Sequence, residues 1–177
     1  MALSRLGRQI SEASSALNAI GVRFALIGGL ALASHKVIRA TQDVDLLVNA
    51  ESADAVDAAL ARLGYRCLHR SADAANYARG DERLDLIYAR RPIARRLLAA
   101  ARTLRTALGD LAVVSAEGII GFKLQGFVND PQRTQDLEDI RALLKANHGA
   151  LDLAELREYF RLFDREPLLD ELIRDAG

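Results

Sequence analysis

Twenty-five residues, Phe24 to Val48, constrain this chain more than any others. They read Phe-Ala-Leu-Ile-Gly-Gly-Leu-Ala-Leu-Ala-Ser-His-Lys-Val-Ile-Arg-Ala-Thr-Gln-Asp-Val-Asp-Leu-Leu-Val. An apolar run breaks at Gly28-Gly29, resumes as a short helical pattern, and gives way to a second apolar run that opens on Asp43-Val44-Asp45. In a strand, successive side chains point to opposite faces, so Asp43 and Asp45 share one face while Val44 and Leu46 share the other. Two carboxylates about 7 Å apart along a strand repel each other. A divalent cation with oxygen ligands is the usual way to offset that repulsion.

The glycine pair points the same way. A strand, a Gly-Gly turn and a helix start expose backbone N–H groups that suit phosphate oxygens. Mg²⁺ uses one or two carboxylates together with substrate phosphates. A phosphate-binding turn followed 14 residues after Gly29 by Asp-x-Asp is a coherent site for a metal-bound nucleoside triphosphate. A third acid, Asp85, lies in Arg83-Leu-Asp-Leu-Ile-Tyr88. Leu84, Leu86 and Tyr88 share one face of that run, which leaves Asp85 on the other with Ile87. If the two strands are neighbours, three carboxylates converge.

At 177 residues the chain is long enough to bury a substantial core. Lys and Arg number 24, as do Asp and Glu, so bulk charge implies neither nucleic acid nor a membrane surface. The single Cys67 excludes an intrachain disulfide and fits a reducing compartment. No apolar stretch approaches 18 residues and no signal-peptide core is visible, so a cytoplasmic protein with no membrane partner is expected.

Periodicity predicts a first amphipathic helix through Leu6, Ile10, Ala13, Leu17 and Ile20, then strands at 22–27 and 43–48. A short helix over 30–36 lies between those strands. A helix through Val56, Leu60 and Leu63 follows, with Ser52 as its N-cap, then a strand over 65–69 and the Asp85 strand over 83–89. Ser71 to Asn76 reads as a loop or hairpin end, and Cys67 as a small core side chain. Pro92 suits the first turn of a helix running to about Leu108, which would carry Arg91, Arg95, Arg102 and Arg105 on one face. Leu111 to Val114 reads as a short strand. Ser115 would cap a helix ended by Asp130-Pro131, and three more helical segments complete the chain. The expected division is 1–112 as a core domain and 113–177 as a helical part packed on it.

Gly28-Gly29, then Arg39-x-Thr41-x-Asp43-Val44-Asp45-Leu46, then Asp85 in a later strand resemble the nucleotidyltransferase superfamily, with its DNA polymerase β-like fold. Downstream, Val114-x-Ala116-Glu117 and Lys123-Leu124, followed by Arg133-Thr134-x-Asp136-Leu137-x-Asp139-Ile140, look like its abortive-infection and type IV toxin branch. The resemblance spans roughly residues 20 to 145. It implies an α/β (α+β) fold, a mixed β-sheet flanked by helices, with a helical C-terminal part. It implies an enzyme of the nucleotidyltransferase class that moves a nucleoside monophosphate from NTP to an acceptor hydroxyl and releases pyrophosphate. Asp43, Asp45 and Asp85 would be catalytic and would hold two Mg²⁺ ions, with Mn²⁺ as the alternative. Gly28, Gly29, Arg39, Thr41, Lys123 and Asp136 would bind the nucleotide. The superfamily often has Gly-Ser where this chain has Gly28-Gly29, so one hydroxyl contact to phosphate is absent.

Read without that resemblance, Lys123 is a snorkelling surface lysine, and Asp136 and Asp139 are an exposed acidic helix face or a support for Lys123. The arginine helix tilts the expected acceptor towards RNA, with a protein or a small molecule as alternatives. A competing reading is a catalytically weak nucleotide-binding protein, or a toxin–antitoxin interaction protein with a cognate antitoxin.

Overall fold

The computed structural model describes residues 4–106 and 108–177. These fall into two compact units, the first of Met1–Ala31 with Ala40–Val114, the second of Leu32–Arg39 with Ser115–Gly177.

The first unit is built on a seven-stranded mixed sheet. Its strands are β1 (Phe24–Ile27), β2 (Asp43–Asn49), β3 (Arg66–Arg70), β4 (Ala74–Arg79), β5 (Glu82–Ala89), β6 (Arg102–Thr106) and β7 (Gly109–Val113), in the spatial order β3-β4-β5-β2-β1-β7-β6. The pairs β2–β5 and β1–β7 are parallel and the others antiparallel. Helices α1 (Arg5–Ala19), α3 (Ala53–Arg62) and α4 (Pro92–Ala100) pack within this unit. Ser4 starts α1 by accepting the Gly7 N–H at 3.0 Å, and Ile10, Ala13 and Leu17 form its wholly buried stripe. The alternation in β2 buries Val44, Leu46 and Val48, and in β5 Leu84, Leu86 and Tyr88, which leaves the aspartates on the opposite face.

Side-chain bonds fix the β4–β5 hairpin to the helices. The Tyr77 hydroxyl donates to Asp57 of α3 at 3.0 Å, and Gln9 of α1 donates to the Arg83 carbonyl at 2.7 Å. Arg79 joins Glu82 and Glu12, each at 2.6 Å, and lies over the Tyr65 ring. Its guanidinium holds the Glu82 carboxyl below the usual range, while burial pushes the Tyr65 hydroxyl up to about 12.

Three sequence expectations are corrected here. Residues 92–108 are not one helix, because α4 stops at Ala100 and Arg102–Thr106 forms edge strand β6. Thr103 and Thr106 favour extended backbone, and the hairpin with β7 supplies partners that a longer helix would forgo. Ala74 to Asn76 is not loop, because it opens β4, whose buried Ala75 and Tyr77 alternate with half-buried neighbours. Cys67 is not in the core, because it is exposed on edge strand β3, all of whose residues are exposed.

The second unit is helical. It contains α5 (Ala116–Asn129), α6 (Thr134–Ala146), α7 (Leu153–Arg161) and α8 (Glu166–Ala176). Helix α2 (Gly28–Ser34) begins in the first unit, and its last residues count with the second. Ser115 caps α5 by accepting the Gly118 N–H at 3.1 Å, and Asp152 caps α7. Ile120, Leu124, Ile140, Leu143, Leu156 and Phe160 are fully buried. Asn147 donates to the His35 carbonyl at 3.0 Å and so ties residues 32–39 to α6. Among the described residues no helix is long and apolar enough to cross a membrane.

Candidate active site

Strands β2 and β5 run parallel in a register that sets Asp45 directly beside Asp85 and Asp43 beside Arg83. Side chains paired in this way point to the same face, so all three carboxylates share one face of the sheet. Like charges placed opposite each other across a strand pair are destabilising. One neutral group opposes this within the sheet. Asn76 of β4 pairs with Asp85, and its Nδ2 donates to Asp85 Oδ1 at 2.8 Å. Asp43, Asp45 and Asp85 are all half-buried, so the face is open to solvent at this row.

The glycine turn abuts the same row. Ile27, the last residue of β1, pairs with Asp45, and the chain then turns through Gly28 with φ +66. A side chain at Gly28 would be strained by that φ, and its Cβ would overlap the Asp45 carboxylate. At Gly29 a Cβ would come 2.7 Å from Thr41 Oγ1, so Thr41 also lies against the turn. The Thr41 hydroxyl makes a long contact, 3.5 Å, to the Asp43 carbonyl. Gly28, Gly29, Thr41, Asp43, Asp45 and Asp85 are thus brought together in the first unit.

Arg39, Lys123 and Asp136 are brought together in the second unit. Lys123 Nζ lies 2.8 Å from Asp136 Oδ1 and 2.8 Å from Asp139 Oδ2. Arg39 Nε lies 3.0 Å from Asp139 Oδ1, and Arg133 Nε 2.7 Å from Asp136 Oδ2. The Lys123 side chain is 11% exposed, and those of Asp136 and Asp139 only 4% and 2%. The lysine therefore does not snorkel, and the aspartates form no exposed acidic face. Buried carboxylates must be paired, and this arrangement pairs both.

Sequence reasoning did not find Asn76, Arg133 or the buried role of Asp139. A hairpin signal existed for Asn76 in Gly80-Asp81 between two extended runs. Arg91, Arg95, Arg102 and Arg105 do not form one stripe. Arg91 stands at the N-cap of α4, Arg95 pairs with Glu51 at 2.7 Å, and Arg102 and Arg105 belong to β6.

Among the described residues no group of three or more His, Cys, Asp or Glu side chains forms a ready metal cage. The donor chemistry still fits a hard divalent cation that arrives with a substrate. Such ions take one or two carboxylates and complete their shell with phosphate oxygens and water. The juxtaposition of Asp45 and Asp85 is the feature a cation would stabilise.

The chain matches no family model and no curated protein sequence. Its likeness is to solved structures. One is ANT(2'')-Ia in complex with adenylyl-2''-tobramycin, at 19% identity and a TM-score of 0.69, covering 91% of this chain and 98% of that one. A second is the lincosamide antibiotic adenylyltransferase LnuA, lincomycin-bound, at 15% identity and a TM-score of 0.59, covering 81% and 98%. A third is an antigenic nucleotidyltransferase-like protein from Paracoccidioides brasiliensis, at 18% identity and a TM-score of 0.55, covering 97% and 94%. The chain has the nucleotidyltransferase fold.

Proposed function

We propose that this protein is a metal-dependent nucleotidyltransferase that moves a nucleoside monophosphate from NTP to an acceptor hydroxyl and releases pyrophosphate. The observation that carries the reading is the row of Gly28, Asp45 and Asp85, set by the β1–β2 and β2–β5 registers, with Asp43 two residues from Asp45 on the same face. Asp43, Asp45 and Asp85 would hold the divalent cation, Mg²⁺ or Mn²⁺, which when bound neutralises charge on the triphosphate and the leaving pyrophosphate.

The remaining work falls to the chain itself. The bare Cα atoms of Gly28 and Gly29 let phosphate oxygens approach the backbone N–H groups. Thr41 lies against the turn at Gly29. Arg39, Lys123 and Asp136 belong to the second unit, and their assignment to the nucleotide rests on the motif resemblance. Asn76 holds one oxygen of Asp85, and among the described residues the other has no partner. As the acceptor oxygen bonds to the α-phosphorus, the α–β bridging bond breaks and pyrophosphate leaves. The acceptor proton passes to Asp85 and then to water. Positioning and charge supply most of the catalysis in such transfers.

A small hydroxylated molecule is the better-supported acceptor. Neighbours of similar length hold antibiotics or their adenylyl products, and the arginine helix that favoured RNA is divided between α4 and β6. The motif order around Lys123 and Asp136 still supports kinship with the toxin branch, so RNA is the comparison arm of the test. Purified protein is incubated with Mg²⁺ and α-labelled NTPs, once with a panel of aminoglycosides and lincosamides and once with cellular RNA. Labelled small-molecule product that disappears in Asp45→Asn is expected. Label found only on RNA would overturn the acceptor, and absence of any labelled product would overturn the transferase reading.

A further inference from the structure

A cleft of about 420 Å³ opens in the first unit between helix α1, the start of β1 and the β6–β7 hairpin. Ser14 and Asn18 stand four residues apart on α1 and so share a face of it. Both line the cleft, with Arg23 at the entry to β1 and with Thr103 and Asp110 on the hairpin. Phe24, the first residue of β1, also lines it, whereas Gly28 follows the last residue of that strand. The cleft and the acid row therefore lie at opposite ends of β1.

We infer that this cleft binds a small zwitterion, an ammonium and a carboxylate carried on one short backbone, as in a free amino acid or a dipeptide. Ser14 is 8% exposed, and its hydroxyl is buried without a hydrogen-bond partner among the described residues. Buried hydroxyls are nearly always bonded, so one left open in the wall of a cleft marks a place for a ligand atom. The side chains of Asn18 and Thr103 are likewise unbonded among the described residues.

The charges decide the class of ligand. Arg23 has no ion pair among the described residues, and Asp110 meets Arg105 there at a long 3.8 Å. The cleft thus offers one free cation and one loosely held anion. A bare anion would be repelled by Asp110 and a bare amine by Arg23, whereas a zwitterion turns both contacts to attraction. A guanidinium takes a carboxylate through two parallel N–H···O bonds, and the Asp110 carboxylate accepts from an ammonium. Asn18, Thr103 and Ser14 supply neutral donors and acceptors, and the buried Val22 and Leu111 a short apolar wall. The volume suits a small-molecule site. None of this rests on the transfer reading.

The test is calorimetric titration of the full chain with each standard amino acid and a set of dipeptides, in EDTA and without nucleotide. At least one is expected to bind, and its N-acetyl and amide derivatives, each lacking one charge, to bind about tenfold more weakly. Arg23→Gln and Asp110→Asn should each cost a similar factor, and Ser14→Ala about fivefold. Arg23 and Asp110 are exposed, so neither substitution disturbs the core. Arg157→Gln removes an equal charge from the second unit, where Arg157 pairs with Asp170, and should leave binding unchanged. So should Asp45→Asn, which alters the acid row alone. Binding by amino acids assigns the shorter zwitterion, and binding by dipeptides only the longer one. No binding at about 10 mM, equal binding of either derivative, or equal loss in Arg157→Gln or Asp45→Asn would overturn the inference. Unchanged binding in Arg23→Gln, Asp110→Asn or Ser14→Ala would remove that residue from the site and with it the argument for this ligand. Nucleotide transfer without zwitterion binding would defeat this inference alone, and zwitterion binding without transfer would leave it standing.

Discussion

The two charged clusters of this molecule solve opposite problems. On the sheet, three aspartates share a face, two of them side by side, and Asn76 is the polar group that relieves Asp85. Among the helices, Asp136 and Asp139 are far more deeply buried, yet each is bracketed by two cations. In the half-exposed sheet cluster, water screens the repulsion between neighbouring carboxylates. In the helical cluster burial raises the cost of a lone carboxylate, and each aspartate there has two cations within ion-pair distance. An open row of acids suits a site that receives a cation, whereas a buried row of ion pairs braces the helices that carry it.

Breaking the helical cluster should have the largest effect. Lys123→Met leaves two buried carboxylates short of a partner and should cost about 3–5 kcal/mol of stability, read by urea denaturation. The sheet cluster should behave in reverse. Asp45→Asn should leave the urea midpoint unchanged or slightly raised without metal, while transfer falls about 10²–10³-fold. A drop in stability like that of Lys123→Met would erase the contrast. Asn76→Ala sharpens it, because it frees Asp85 without touching a carboxylate. Its expected cost is about tenfold in turnover at constant NTP affinity, measured by steady-state kinetics.

The smallest effects concern pH and a region outside both clusters. The Glu82 carboxyl is lowered by Arg79 from its ordinary 4.5, so its contribution to stability is present above that value and lost as pH falls through the folded one. Tyr65 is raised by burial from 10.0 to about 12, so stability declines as pH rises across that interval. Thermal melts of Glu82→Gln and Tyr65→Phe should flatten the acid and the alkaline arm respectively.

How much of this was legible in the chain follows from the range of the forces. The Asp43-Val44-Asp45 strand, the Asp85 strand and the glycine turn are local patterns, and alternation alone places the acids on the face away from Leu46 and Leu84. Residues 101–108 satisfy two periods at once. Leu97, Leu104 and Leu108 fit a helix, while Arg-Thr-Leu-Arg-Thr fits a strand, and only pairing with β7 decides. Strand β4 is rich in alanine, a weak strand former, so its hydrogen-bonded neighbours on both sides define it. The charge chain was least legible, since Arg39 and Asp139 lie 100 residues apart and no spacing rule joins them.

The open sheet has one more consequence, for the protein's behaviour in a crowded solution. Its margins, β3 and β6, offer unpaired backbone groups on which a second chain could crystallise a strand. Arg66 and Arg70 stand on one margin, Arg102 and Arg105 on the other, and a register irregularity between Cys67 and His69 distorts the first. Arg70 is paired with Asp54 at 2.6 Å and Arg105 with Asp110 at 3.8 Å, which leaves Arg66 and Arg102 as the charges that two molecules approaching margin to margin would oppose. Like charges at the two margins oppose strand-to-strand association, and concentrated salt, which screens them, should favour it.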